Sequence, residues 1–287
     1  MQSASKTYHF LSNKYGKELL FDIAHIESLP NYVLTSLPHQ LSFYEVVLIT
    51  EGSGSFLLDE QKIRIRPGAI IFTSPGQLRK WLIKKPVRGY TLFFDKDFFN
   101  LSFSDPLFLY GFNYYHQYQF PTFLQASHQL QPALLTLLHQ LENEISHLQT
   151  DSSHLLRAIL YQVLILLNRA YSDHYGIQKP VSIHSQFYQF RSLLEKLFAS
   201  HHRVLDYVQL LAISPAQLNK LCKKYAGLSA QQMIHNKQVA EIKRCLRGTN
   251  DAITRITYQF NFSDPSNFNR FFKKHTGMTA HQYRHEM

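Results

Sequence analysis

The sequence predicts an α+β protein, with an antiparallel β-barrel carrying two long helices and, after it, an all-α domain built on two helix-turn-helix units. Three observations lead there. Short β-rich runs separated by turn dipeptides fill residues 18 to about 95, apolar residues at helical spacing follow, and one segment of the last hundred residues recurs at an offset of fifty. At 287 residues, 45% of them hydrophobic and 14% aromatic, the chain suffices for two domains with real cores.

Phe43 to Thr50 is a β-rich run that reads as ending at Glu51-Gly52-Ser53-Gly54. Lys62-Ile63-Arg64-Ile65-Arg66 alternates charged and apolar residues with the period of a half-exposed strand. Pro67-Gly68 is a turn, and Ala69 to Thr73 reads as a buried strand before Pro75-Gly76. Many short strands at close spacing suggest a barrel or jelly roll over about 18–120. Leu134, Leu135, Leu138, Leu141 and Ile145, then Leu155, Leu156, Ile159, Leu160, Val163, Leu164 and Leu167, mark two amphipathic helices within about 126–171. Their stripes face the barrel and are wide enough to leave surface for a second subunit, so a homodimer is expected. Ser172 to His184 is polar and contains Gly176 and Pro180, and 176–184 reads as a linker between a domain at 1–175 and one at 185–287.

Charge separates the two domains. From Ser185 onward there are 15 Lys+Arg against 6 Asp+Glu, whereas residues 1–184 hold 15 against 14. A field concentrated in one domain attracts a polyanion. No apolar run approaches the ~18 residues of a membrane helix, and Met1 to Leu11 lacks a signal-peptide core. The two cysteines, Cys222 and Cys245, lack metal-ligand spacing and fit free thiols in a reducing compartment. A cytoplasmic location is expected.

The repeat aligns Ser214 to Lys224 with Asp264 to Lys274 and continues through Gly227/Gly277, Ala230/Ala280 and Gln232/Gln282, with seven of nineteen positions identical across 214–232 and 264–282. Each copy opens with an N-cap residue and a proline suited to the first helical position. The helices are expected to bury Leu218, Leu221, Cys222 and Tyr225, and Phe268, Phe271, Phe272 and His275. The opposite faces carry Ala216, Asn219, Lys220 and Lys223, or Ser266, Asn269, Arg270 and Lys273, with Gln217 and Asn267 beside them. Small, amide and cationic side chains suit a helix in a major groove, where Asn pairs with adenine and Arg with guanine. A shorter amphipathic helix precedes each copy, and the second turn, Asn261-Phe262-Ser263, offers an asparagine that tolerates left-handed backbone. The units span about 204–225 and 252–275, and each has helix-turn-helix form.

Residues Ala252 to Arg284 closely follow the signature of the AraC/XylS-type transcription regulators, which the chain resembles strongly over about 185–287 and weakly over 39–82. The resemblance implies a cupin-like sensor barrel and two recognition helices joined by a central helix, about Ala230–Leu246. It also implies an activator that binds double-stranded DNA, a small effector and RNA polymerase. Ala216, Asn219 and Lys220 would read one groove; Ser266, Asn269 and Arg270 would read the next. Thr257, Asn261 and Ala280 depart from the family's usual Ala, Gly and Pro, and Gln238 and Ile242 from its Arg and Ala. These departures imply looser packing or a lost phosphate contact.

The front domain invites other readings. A cupin metal centre needs clustered His and carboxylate ligands, but residues 39–90 contain one histidine, His39. Neither a Gly-x-Ser-x-Gly elbow nor a cysteine-centred signature is present. No enzyme, metal or cofactor is expected. What remains is a binding cavity, with Phe72 and Trp81 as walls and His39 as a polar contact, or else a surface for a protein partner.

Overall fold

The computed structural model describes residues 6–29, 36–100, 108–115, 121–177 and 186–285. The expected linker at 176–184 lies outside the described residues from 178 on. The chain divides into two compact units, one spanning Lys6–Gly176 and the other following it.

The first unit is organised by two long strands, β4 (Tyr44–Leu58) and β7 (Arg79–Phe94), which pair antiparallel along nearly their whole length. Around them lie β1 (Lys6–Tyr8), β2 (Phe21–His25), β3 (His39–Leu41), β5 (Gln61–Ile65), β6 (Ala69–Thr73) and β8 (Phe123–Gln125). In the resulting eight-stranded sheet, β2, β6 and β8 extend one half, and β1, β3 and β5 the other. Glu51-Gly52-Ser53-Gly54, which reads as a strand end, is instead a bulged stretch through which β4 continues. The glycines explain the difference. Gly54 (φ 154) and Gly89 (φ 143) bring the two backbones so close that a Cβ would lie 2.3 Å from the Leu82 carbonyl oxygen and 2.0 Å from that of Leu48. The ribbon therefore bends without losing its pairing.

Bending folds the sheet over one core. Val47 and Ile49 from one half of β4 join Phe56 and Leu58 from the other, with Ile63, Ile65, Ala69, Ile71, Trp81 and Val87. The alternate residues Val46, Leu48, Ile70, Tyr90 and Leu92 face two helices, α2 (Leu130–Ser146) and α3 (Ser152–Tyr175), through Leu134, Leu138, Val163 and Leu167. A short helix α1 (Asp97–Asn100) and a 3-10 turn (Asn113–Tyr115) complete the layer. Strands buried on both faces read as continuous apolar runs, as Val46 to Ile49 does. Of the helical stripes, Leu155 is exposed, while Leu134, Leu138, Leu141, Leu156, Leu160 and Leu164 are buried. Among the described residues no helix is long and apolar enough to cross a membrane.

The second unit is helical: α4 (Gln186–Leu197), α5 (Val204–Leu211), α6 (Pro215–Ala226), α7 (Ala230–Gly248), α8 (Ile253–Gln259), α9 (Pro265–Thr276) and α10 (Ala280–His285). It has two cores. Phe190, Leu194, Tyr207, Leu218 and Cys222 pack on Ala230, Met233 and Ile234 at the start of α7. Ile256, Phe260, Phe268, Phe272 and Tyr283 pack on Ile242 and Leu246 near its end. Cys245 lines the second core, and both cysteines are free thiols.

Candidate nucleic-acid interface

The two helix pairs α5–α6 and α8–α9 arise from the same local chemistry. Ser214 caps α6 by accepting from the Gln217 amide at 3.1 Å, and Asp264 caps α9 by accepting from the Asn267 amide at 2.8 Å, each followed by proline. Gly227 (φ 69) and Gly277 (φ 80) end the helices in left-handed backbone. The turns, however, differ. The Ile213 amide reaches back to the Val208 carbonyl and the Phe262 amide to that of Thr257, an offset of forty-nine rather than fifty. The second turn therefore holds one extra residue, Ser263. The left-handed position falls to Ala212 (φ 51) in the first turn and to Asn261 (φ 53) in the second, where asparagine does the work of glycine.

The outward faces are partly as expected. Ala216, Gln217, Lys220 and Lys223 are exposed on α6, as are Ser266, Arg270 and Lys273 on α9, with Asn267 half-buried. Lys224 and Lys274, identical in the two copies, are also exposed and extend the basic rows. The Arg270 guanidinium donates to Asn267 Oδ1, and Asn267 Nδ2 donates to Asp264 at 2.6 Å and to the Ser263 hydroxyl at 2.7 Å. The first turn of α9 thus holds its arginine against a polar cluster. The Asn267 amide, with the Ser263 hydroxyl, holds the Asp264 carboxyl below its usual range.

Two corrections concern this face. Asn219 and Asn269 are turned toward the protein: Asn219 Oδ1 accepts from the Ala230 amide at 2.9 Å and Asn269 Oδ1 from the Ala280 amide at 3.2 Å, while Asn269 Nδ2 donates to the Pro265 carbonyl at 3.0 Å. Each asparagine satisfies an amide that the next helix, at its first turn, leaves without an intrahelical acceptor. The repeat carried the signal, because asparagine and the alanine eleven residues on are identical in both copies. His275 is also not buried. It is exposed at the edge of α9, its ring 4.7 Å from those of Phe271 and His235.

His235, on α7, lies between the two helix pairs of the helical unit. Its ring lies 5.3 Å from Phe271 and 4.7 Å from His275, and Gln231 Nε2 lies 2.7 Å from its Nε2 and donates to the His202 carbonyl at 2.9 Å. Burial, with the added positive charge of His275, Lys274 and His202, pushes the His235 imidazole down to about 4. The departures from the family pattern are packed. Thr257 is buried with its hydroxyl donating to the Ile253 carbonyl at 2.9 Å, Ile242 lies in the second core, and buried Gln238 donates to the Phe198 carbonyl at 3.0 Å.

In the first unit, His39, Arg79 and Trp81 share the inner face of the sheet, since His39 pairs with Arg79 and Trp81 follows two residues on. Phe72 is not with them. It points to the helix side, stacked 3.9 Å from Tyr114 and edge-on to Tyr171. The period of two that turns Ala69 and Ile71 inward turns Phe72 outward. At the polar end of the interior lies a residue set the sequence reading passed over. Buried Glu45 accepts both guanidinium arms of Arg79, one at 3.1 Å, and the hydroxyls of Thr73 at 3.2 Å and Thr91 at 3.1 Å. A lone carboxylate inside an apolar run was the available sign. His39 Nε2, Arg79 Nε and Trp81 Nε1 are buried without a hydrogen-bond partner, and burial, with the Arg79 charge, lowers the His39 pKa. Among the described residues no group of three His, Cys, Asp or Glu could hold a metal ion.

Comparison with known proteins gives the same division. Residues 25–164 match the family model described as an AraC-like ligand binding domain, and residues 207–286 match a helix-turn-helix domain. The chain is 23% identical over 253 residues to the HTH-type transcriptional activator RhaR of Mannheimia succiniciproducens, covering 86% of both chains. It is 23% identical over 248 residues to the HTH-type transcriptional activator RhaS of Escherichia coli O81, covering 82% of this chain and 83% of the other. ToxT from Vibrio cholerae aligns with 92% of this chain and 97% of its own at 12% identity, with a TM-score of 0.45.

Two outcomes follow from the site geometry. Asn269→Ala leaves the Ala280 amide without its acceptor and is expected to cost about 1 kcal/mol of stability in a urea titration. It should leave the preferred DNA sequence unchanged; a changed preference would return Asn269 to the reading face. The second outcome concerns pH. The folded protein disfavours the charged His235 ring, so the stability this site contributes is present above about 6.5 and is lost as the pH falls toward about 4. The melting midpoint should fall across that window in the native chain and less steeply in His235→Phe.

Proposed function

Because the chain belongs to the AraC-type transcription regulators, we propose that it binds two successive major grooves of one DNA duplex through α6 and α9 and activates transcription from there. The observation that carries this reading is the pair of capped helices whose outward faces are exposed and basic in both copies. Reading falls to Ala216, Gln217 and Lys220 on α6 and to Ser266, Asn267 and Arg270 on α9, with Lys223 and Lys273 on phosphates. Those readers differ between the copies at every position, so the half-sites are expected to differ in sequence and to lie about one turn, roughly 10 bp, apart. RNA polymerase is the partner of an activator so placed.

The sensor unit takes a small effector at the polar end of its interior. Support comes from two buried donors, Arg79 Nε and Trp81 Nε1, and one buried acceptor, His39 Nε2, whose ring has its Nδ1 against the Leu37 carbonyl at 3.2 Å; none of the three has a partner, which favours a ligand rich in hydroxyl groups. A second reading, in which this unit binds a protein instead, draws on Glu45 already having four donors from the protein itself. A homodimer would have to join through surface other than the α2 and α3 stripes, most of which pack on the sheet.

Selection of bound duplexes from a random pool by the full chain should return two unlike half-sites. Arg270→Ala should relax one or two base positions and cost ~1–3 kcal/mol, whereas Lys273→Ala should weaken all sequences alike; selection of no preferred sequence would refute the reading. Trp81 is the single tryptophan of the chain, so its emission should shift on titration with a polar effector and stay unchanged if the partner is a protein bound on the outside.

A further inference from the structure

We propose that the outer face of the half-sheet formed by β5, β4 and β7 is a second DNA-contacting surface, which grips the phosphate backbone of duplex flanking the site held by the helical unit. Lys62 and Arg64 on β5, and Arg66 just beyond it, are exposed at alternate positions while Ile63 and Ile65 point into the core. The register continues the pattern across the sheet. Lys62 and Lys80 flank Leu57 of β4, Arg64 and Leu82 flank Ser55, and exposed Lys84 and Lys85 follow at the bulged end.

Lys62 and Arg64 are about 6.8 Å apart along β5, and the two outer strands are separated by roughly 9.6 Å. Among the described residues Lys62, Arg64, Lys80, Lys84 and Lys85 have no ion pair, and Glu51, at the same end, is taken by Arg88 at 3.7 Å. This is segregation rather than general basicity, because residues 1–184 as a whole hold 15 Lys+Arg against 14 Asp+Glu. A rigid face with five unneutralised cations holds a polyanion electrostatically.

The composition of the face favours a duplex backbone over other polyanions. Between the cations stand Ser53, Ser55 and Leu57. Among the described residues no aromatic ring stands on this face on which single-stranded bases could stack, nor an aromatic anchor for a lipid surface. Phosphate contacts from lysine and arginine need neither. The inference rests on the helical unit holding DNA, since a tethered surface then meets flanking duplex at an effective concentration in the millimolar range, where weak contacts count.

The test uses the full chain, in native form and as K62Q/R64Q/K80Q/K84Q/K85Q, with two probes. One is the selected site trimmed to its half-sites, and the other is the same site extended by about 20 bp on each side, roughly two helical turns. Each phosphate contact adds about 0.9 to the slope of log affinity against log salt. The native chain should show a slope steeper by about 3–4 on the long probe, and the variant should give the same slope on both. The variant's affinity for the trimmed site should match the native one. Equal slopes for the native chain, or an extra slope that survives in the variant, would overturn the proposal. So would equal slopes together with cation-dependent binding of the chain to phosphatidylserine vesicles. Failure of the native chain to bind the trimmed site would refute the helix-turn-helix reading instead.

Discussion

A single helix carries the geometry of the DNA-binding unit. Helix α7 supplies Ala230, Met233 and Ile234 to the first core and Ile242 and Leu246 to the second, and Phe198, after α4, packs on both. Buried Lys237 anchors its middle to α4, donating to Glu195 at 2.5 Å and to Glu241 on its own helix at 2.9 Å. Burial disfavours that charge, yet the two carboxylates outweigh it and raise the lysine pKa. Nineteen residues at 1.5 Å each make a rod of about 28 Å. Helices α6 and α9, packed on opposite ends of such a rod, cannot drift independently. Removing either carboxylate from a buried pair of this kind is costly.

Much of this was legible in the residues. Caps, prolines and terminal glycines mark α6 and α9 because each acts within a few residues of itself, and the apolar period marks their buried faces. The sheet was legible where it alternates, as on β5, or runs apolar, as on β6. It was misread at Gly52 to Gly54, because a glycine that ends a strand and a glycine that lets one bend look alike until the partner strand is seen. Trp81 and Phe72 likewise look equivalent as aromatics, and only their parity against β4 sends one inward and the other to the helices.

The repeat has its own lesson. Of its seven identical positions, most are scaffold. The prolines start the helices, the glycines end them, the glutamines Gln232 and Gln282 cap α7 and α10, and each asparagine braces the amide of an alanine. Only the paired lysines are left facing outward. Identity between copies therefore reports how each unit is built. The proposed reading places selectivity where the copies part, at Ala216 against Ser266, Gln217 against Asn267 and Lys220 against Arg270.

Cys222 is buried and Cys245 half-buried in the helical unit. Burial pushes Cys222 up to about 12, and burial together with Glu241 and Asp251 pushes Cys245 up to about 11. At neutral pH Cys222 is then held in its protonated form. Both thiols are therefore poor nucleophiles toward peroxide and electrophiles. For the same reason, a reporter cysteine introduced on the surface would be labelled against a silent background.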